Sequence, residues 1–325
     1  MKFFPVILLV ALGLASCKSS VNNPQQNTAD SLPKTDANGN VVLDPPPAGQ
    51  GVQIVFGPFT VPSDSEVQID YYFKLPTNVP INISRIQIAT NYGTHHMNLF
   101  RYNVPHVEDT EYSFNSAAIW QSGDLMIEAQ QHYIDWSMPS GTAVHLDAQS
   151  QMALQIHYVN ATTQNTPNGK GKVVINLWYA TSAVSSFASM LFAQNPHVLI
   201  LPHSDTTFSK ICSFAPAVKP FSIVAMTGHF HSRGRNFTVE KWDLNADTSL
   251  GLLYKNVAWD EPPFESYPTP IPILDGQGIK YTATYENTGA DTIFFGPHVE
   301  NQEHCNLFLW FVPGLNNGQT IYDNN

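Results

Sequence analysis

The apolar residues of the chain fall in short runs of β-branched and aromatic side chains, which clusters of Pro, Gly, Asn and Asp separate from one another. No long stretch keeps a helical period with capping residues at both ends. Such a pattern is typical of antiparallel sandwiches rather than of layered α/β folds. It predicts nine strands, over residues 52–56, 67–73, 81–89, 143–146, 152–159, 172–178, 221–226, 279–285 and 307–312.

The first 50 residues differ from the rest. Lys2 and the apolar run after it have the form of a secretory signal that is too short to span a bilayer. Leu14-Ala15-Ser16-Cys17 resembles the lipobox of bacterial lipoproteins, and the alternative is a plain signal peptide with an incidental Cys. We expect a signal peptide over 1–16, a lipidated Cys17 and a flexible tether to residue 50. The protein is then a lipoprotein of the bacterial cell envelope, anchored to a membrane and facing the periplasm or the exterior.

The rest of the 325-residue chain is long enough for one large or two medium domains. A boundary near residues 179 to 186 leaves each of two histidine pairs in its own half. We therefore expect one domain over 51–182 and a second over 183–325. Together with the strand pattern, this predicts an all-β protein of two tandem antiparallel β-sandwich domains.

Charge and cysteine content narrow the chemistry. The formal net charge is -11, and no cluster of Lys and Arg could follow a phosphate backbone, so we expect no nucleic-acid partner. Paired carboxylates of a glycosidase and the Gly-x-Ser-x-Gly elbow of a hydrolase are both missing. With Cys17 lipidated, Cys212 and Cys305 remain; they could form a disulfide or stay two buried thiols.

Two histidine pairs are the candidate metal ligands. His229 and His231 lie two residues apart, so on a strand both imidazoles face the same side and can reach one ion. His95 and His96 are adjacent, and their joint ligation requires a β-bulge or a strand end. An imidazole-rich site without thiolates favours copper or zinc.

A further histidine lies on the strand predicted at 152–159. Alternation places Gln155 and His157 on one face, while Leu154 and Ile156 are on the other. A polar pair on a strand that otherwise builds the core needs partners, and a metal ion supplies one. His157 is therefore a third candidate ligand.

Four motifs carry a resemblance to a known family: His95-His96-Met97, Leu154-Gln155-Ile156-His157-Tyr158, His229-Phe230-His231 and Gln302-Glu303-His304-Cys305-Asn306-Leu307. In this order and spacing, over residues 50 to 315, the chain resembles the copper type II, ascorbate-dependent monooxygenases. That family includes peptidylglycine α-hydroxylating monooxygenase and dopamine β-monooxygenase. The resemblance implies two jelly-roll domains that face each other across a solvent-filled cleft, each with one copper ion.

The resemblance also assigns the ligands. The first ligand set would hold the electron-transfer copper and consists of His95, His96 and His157. The second ligand set would hold the catalytic copper, which binds oxygen, and consists of His229, His231 and His304. We expect two copper ions per chain, with ascorbate or a similar reductant as co-substrate. The implied activity is hydroxylation of a C–H bond of a small organic substrate by O₂.

His304 departs from the family, which has a Met ligand at this position. An imidazole is a firmer donor than a thioether and accommodates Cu(II) well, so the second copper should be harder to reduce or differently reactive. Alternatively, His298 or water completes the coordination shell. The change leaves a non-catalytic copper-binding or copper-handling lipoprotein as the alternative function, and a sandwich with vestigial sites as a third possibility.

The positions that bind the substrate in this family also differ in this chain. Thr227 and Phe308 stand where the peptide-amidating members have an Arg and a Tyr that hold the substrate carboxylate, although Asn306 is kept. Without the Arg there is no bidentate clamp, so we do not expect peptidylglycine as a substrate. Asn306 and Gln155 are the candidate substrate contacts. Phe308 and Trp310 indicate either core packing or a less polar substrate.

Overall fold

The computed structural model describes residues 33–114, 117–161, 169–215, 218–315 and 318–323. The predicted signal peptide and Cys17 lie outside the described residues. Within these ranges the chain forms 23 strands and one short helix, α1 (Ala117–Ser122). The prediction of an all-β protein is confirmed.

Eleven strands come from the first part of the chain: β1 (Gly51–Val61), β2 (Ser65–Lys74), β3 (Ile81–Thr90), β4 (Thr94–Tyr102), β5 (Asp109–Tyr112), β6 (Gly123–Ala129), β7 (Tyr133–Ser137), β8 (Thr142–Leu146), β9 (Gln151–Asn160), β10 (Gly169–Tyr179) and β11 (Ser186–Phe187). They form two sheets. The outer sheet has the order β1-β10-β3-β8-β11, with β7 also paired to β3, and the site sheet has the order β5-β2-β9-β4-β6.

Twelve strands follow: β12 (Ser189–Gln194), β13 (Leu199–Ile200), β14 (Ser204–Cys212), β15 (Phe221–His229), β16 (Gly234–Asp243), β17 (Thr248–Asn256), β18 (Glu265–Ile273), β19 (Gln277–Asn287), β20 (Ile293–Phe295), β21 (Gln302–Glu303), β22 (Asn306–Val312) and β23 (Ile321–Asp323). Their sheets have the orders β18-β15-β22-β12-β23, β14-β19-β16-β17 and β13-β20-β21. Most pairs are antiparallel, as predicted, but β8–β11, β12–β23 and β20–β21 are parallel.

All nine predicted strands are present. Five long strands were not predicted: β4, β14, β16, β17 and β18. Much of the surface of the last four is exposed or only half-buried and their sequences alternate weakly, whereas β4 is mostly buried and a bulge interrupts its alternation. β18 even contains Pro268, Pro270 and Pro272. It lies at the edge of its sheet, where a missing backbone N–H is tolerated.

The largest hydrophobic core crosses the predicted domain boundary. Phe192, Phe308 and Trp310 of the second half pack into the same core as the buried side chains of the site sheet. The indole N–H of Trp310 donates to the carbonyl oxygen of Met126 at 2.9 Å. The outer sheet also extends to residue 187 through β11. Side-chain packing is therefore continuous across the predicted boundary at residue 182.

Residues 33–50 pack against the outer sheet, so the prediction of a flexible tether is wrong for this segment. Val41 is buried in a small core together with two side chains of the outer sheet. The Asn91 amide donates to the carbonyl oxygen of Gly39 at 2.8 Å and accepts from the Val41 N–H at 3.2 Å. The apolar run around Val41 is too short to show periodicity, which is why it resembled a linker.

The structure decides between the two alternatives for the cysteines, but the predicted envelope location stays a prediction. Cys212 and Cys305 are free, buried thiols, so the disulfide is absent and the thiol alternative holds. Burial raises the pKa of Cys305 to about 12, which keeps it protonated. No helix in the described part of the chain is long and apolar enough to cross a bilayer. The envelope location stays a prediction.

Candidate metal centre

Strand register places the first ligand set. His96 on β4 pairs directly with His157 on β9, so the two side chains share one face of the site sheet. The register shifts between Thr94 and His96, which makes His95 the extra residue of a β-bulge. The bulge is the irregularity that joint ligation by two adjacent histidines requires.

Two glycines allow close packing beside the histidines. Gly93, just before the bulge, has a φ of +95°, and a Cβ there would lie 2.5 Å from the Tyr158 ring. Gly228 lies just before His229, and a Cβ added there would lie 2.5 Å from the Phe237 ring. Larger residues at either position would displace the strand that carries the ligands.

The second ligand set lies where strands end. His229 is the last residue of β15, His231 follows in the turn, and His304 lies between β21 and β22. Glu303 holds the turn, because its carboxylate accepts the backbone N–H of His231 at 2.7 Å and that of Arg233 at 2.8 Å. Burial raises the pKa of Glu303 to about 7, although these hydrogen bonds lower it in part.

The two sets form one cluster, which we call the six-histidine cluster. Four of its members are buried and two, His96 and His304, are half-buried. Ring centroids within a set are 4.6–5.3 Å apart. Between the sets, His95 lies 5.0 Å from His229 and 5.2 Å from His231, and His96 lies 5.4 Å from His229. Among the described residues the two sets touch, so the expected solvent-filled cleft does not separate them.

Hydrogen bonds orient two rings of the second set. Nδ1–H of His229 donates to Oε1 of Gln130 at 2.5 Å, and Nδ1–H of His231 donates to the carbonyl oxygen of Gln302 at 2.9 Å. Because both acceptors are oxygens, each Nδ1 carries the hydrogen and each Nε2 is left with a lone pair. This is the arrangement by which proteins fix metal-binding histidines. Gln130 comes from the first half of the chain, and no sequence motif marked it.

Five ring nitrogens of the cluster are buried without a hydrogen-bond partner among the described residues: Nε2 of His95, His157, His229 and His231, and Nδ1 of His304. Leaving such an atom unpaired costs about 1–3 kcal/mol. The ligand atoms of His95, His229 and His231 lie within 4.8 Å of one another. This trio combines members of both sets, whereas the resemblance kept the sets apart.

The protonation state also suits a metal ion. Burial, together with neighbouring imidazoles, lowers the pKa of His95, His229 and His304 well below the usual value. Burial lowers that of His231 to about 3. These rings are neutral at physiological pH, as metal binding requires. A buried set of neutral imidazole nitrogens fits copper or zinc.

His298, the alternative ligand, lies elsewhere. Its Nδ1–H donates to Oε1 of Glu66 at 2.5 Å, and its ring centroid lies 4.4 Å from that of Phe114, with the two rings tilted by 47°. Oε2 of Glu66 lies 3.6 Å from Nε2 of His157. Burial raises the pKa of Glu66, but the two imidazoles outweigh it and bring the value down to about 2. The structure thus brings His304, and not His298, to the other cluster histidines.

A cavity of about 330 Å³ adjoins the six-histidine cluster. Its wall includes His96, His229 and His304, and both predicted substrate contacts, Gln155 and Asn306. Phe308 also lines it, stacked on Phe192 at 4.8 Å, whereas Trp310 is a core residue. Sequence reasoning missed Glu128, which lines the cavity from β6.

The chain has five further histidines besides the six-histidine cluster and His298. His106, His132 and His145 use Nδ1 in hydrogen bonds to Val107, Thr90 and Asn82. His197 and His203 are exposed. None of the five belongs to the cluster.

No family model matches the chain, and no curated protein matches it. Among solved structures, it is similar to a triple jelly-roll protein of an archaeal virus, with 9% identity, a TM-score of 0.25, and coverage of 84% of this chain and 58% of the other. It is also similar to the VP2 subviral particle of infectious bursal disease virus, with 9% identity, a TM-score of 0.22, and coverage of 86% and 76%. The chain thus spans less than two thirds of the first of these proteins.

Proposed function

We propose that the protein is a copper-dependent monooxygenase that hydroxylates a C–H bond of a small organic substrate, using O₂ and an external reductant such as ascorbate. One observation carries the proposal: histidines from four separate motifs converge in one cluster beside a ligand-sized cavity. The unpaired ring nitrogens support metal binding, and the nitrogen-only donor set supports copper.

The first and second ligand sets would hold two copper ions per chain. Copper would supply the redox chemistry, which protein side chains lack. The chain's own residues orient the ligands: Gln130 and Glu303 fix His229 and His231. The cavity offers a substrate a place against His229 and His304. We further propose that the five sheets belong to two tandem jelly-roll sandwiches, and that Cys17 anchors the protein in the envelope.

A second candidate function is non-catalytic copper binding or handling by a lipoprotein. His304 favours it, because its ring lies 4.6 Å from His231 and 5.2 Å from His229, in place to act as a third imidazole donor. A site of three imidazoles accommodates Cu(II) well and resists reduction more than a site with a thioether.

Metal analysis tests the ligand assignment. We expect two copper equivalents in the wild type and about one in His157→Ala and in His229→Ala. His197→Ala, which changes an exposed histidine, is the matched control and should keep both. If neither cluster variant lowers the copper count, the assignment is wrong.

Oxygen uptake separates the two functions. The monooxygenase predicts ascorbate-driven oxygen consumption that His229→Ala abolishes and His197→Ala preserves. Two bound copper ions without any such consumption, together with activity that appears only in His304→Met, would instead establish the copper-handling alternative for the natural chain.

A further inference from the structure

One carboxylate of the site sheet reaches the six-histidine cluster. Glu66 lies two residues before Gln68 on β2, and Gln68 pairs directly with His157 on β9. Alternate residues of a strand share a face, so Glu66 and Gln68 project on the same side of the sheet as His157. Oε2 of Glu66 comes within 3.6 Å of Nε2 of His157. Backbone register therefore places a carboxylate oxygen beside a ligand of the first set.

The distance between these two atoms fits a shared metal ion. A zinc ion binds imidazole nitrogen and carboxylate oxygen at about 2.0–2.2 Å, and copper takes the same donors, so two ligands of one ion lie about 3–4 Å apart. Nε2 of His157 is buried and has no hydrogen-bond partner among the described residues. At 3.6 Å the contact is too long for a hydrogen bond between the two side chains. The pair is therefore spaced as two ligands of one ion.

The surroundings of Glu66 orient its carboxylate without a permanently charged partner. The side chain is only 16% exposed, and its described ion pairs involve no Lys or Arg. His298 donates Nδ1–H to Oε1 at 2.5 Å, and the N–H of Val299 donates to Oε2 at 3.4 Å. Hydrogen bonds of this kind orient metal-binding carboxylates. Buried charges in proteins are paired or coordinate metals, and a metal ion at His157 supplies the opposite charge.

We propose that Glu66 is a fourth ligand of the copper ion at the first set, binding through Oε2 beside His157. The inference rests on the proposed function where it assigns this copper to electron transfer, whereas the ligation itself requires only that copper binds. A carboxylate is an anionic, hard oxygen donor and stabilises Cu(II) over Cu(I). His298 and Val299 of the second half hold Glu66 in place. The first site thus depends on both halves of the chain.

The Glu66 carboxylate and His304 shift the two copper ions in the same direction. An imidazole in place of a thioether makes the second copper harder to reduce, so a first site of histidines alone would pass its electron with less driving force. Glu66 lowers the reduction potential of the first copper as well. One electron leaves Cu(I) at the first set, which becomes Cu(II), and reduces Cu(II) at the second set to Cu(I). The difference in potential that drives this transfer is thereby kept.

Copper titration of the full chain in a His229→Ala background tests the inference, because that background leaves only the first set loaded. Glu66→Gln keeps the size of the side chain and an oxygen for His298, but it removes the charge. We expect Cu(II) affinity to fall at least tenfold while Cu(I) affinity is unchanged, which raises the reduction potential by about 59 mV or more. The EPR spectrum of Cu(II) should change as well, since one ligand is replaced.

Glu111→Gln is the matched control, because Glu111 is a carboxylate of the same sheet that lies 3.9 Å from another histidine, His106. It should keep the affinities and the EPR spectrum of its parent. Metal-free Glu66→Gln should melt as its parent does, which separates ligation from a role in folding. An equal loss of Cu(I) and Cu(II) affinity, an unchanged EPR spectrum, or a first set that binds no copper overturns the inference.

Oxygen uptake by the chain with both sets intact distinguishes the two proposals. Copper ligation that needs Glu66 in a protein without ascorbate-driven oxygen uptake sinks the proposed function alone. Oxygen uptake together with a Glu66→Gln variant whose Cu(II) affinity and EPR spectrum are unchanged sinks the inference alone. His298→Ala keeps the carboxylate and removes only one of its hydrogen bonds, so it should weaken Cu(II) at the first set less than Glu66→Gln does.

Discussion

The two ligand sets are held in different ways. Pairing between β4 and β9 places the first set, and its bulge is a property of the backbone. In the second set, strand pairing places only His229, opposite Asn306 at the end of β15. Side-chain hydrogen bonds complete the arrangement, because Gln130 from the other half accepts from Nδ1–H of His229 and Glu303 accepts the backbone N–H of His231. Backbone register is hard to perturb without unfolding a sheet, whereas a side-chain contact is lost with one substitution. The second set is therefore the more easily tuned of the two.

The largest loss of folding stability should come from a substitution at Gly93, beside the bulge of the first ligand set. Gly93→Ala combines a positive φ with a contact of 2.5 Å to the Tyr158 ring, and we expect a loss of roughly 3 kcal/mol. Gly39→Ala is the matched control, because its φ is +78° but no atom lies within 4 Å. It should lose only about 1 kcal/mol. Urea denaturation of both variants measures the difference, and equal losses would show that Gly93 is not sterically required.

Gln130→Ala should lower folding stability less than Gly93→Ala does, and it should weaken copper binding at the second set alone. Gln130→Ala removes the acceptor of His229, which should cost about 1 kcal/mol and weaken copper at this set by about 10–100-fold. Copper at the first set should keep its affinity. Competition with a chelator measures both sites, and exposed Gln121→Ala is the control. Equal weakening of both sites would mean that Gln130 acts on the whole cluster and does not distinguish the sets.

The smallest effect should come from His298. Its side chain is 42% exposed, so breaking its contact with Glu66 by His298→Ala should cost less than about 1 kcal/mol. Both copper equivalents should remain, whereas His304→Ala should lose one. If copper analysis instead shows that His298→Ala loses one copper ion and His304→Ala loses none, His298 is the third ligand of the second set.

The all-β class and the grouping of histidines within each set could be predicted, for reasons visible in individual residues. Alternation around His157 predicted its face, and the adjacency of His95 and His96 predicted a bulge or a strand end, of which the structure has the bulge. Contact between the two sets could not be predicted, because it depends on how the halves pack. Glu128, Gln130 and Glu66 carry no sequence signal, since an isolated polar residue on a strand looks the same whether it faces a cavity, a ligand or water.

The shared core also bears on how the molecule unfolds. Phe192, Phe308 and Trp310 bury their rings among residues of the other half. A fragment ending near residue 182 would uncover that apolar surface and would tend to aggregate. We therefore expect the two halves to unfold as one cooperative unit, so that the intact chain melts in a single transition even when only one of its halves is mutated.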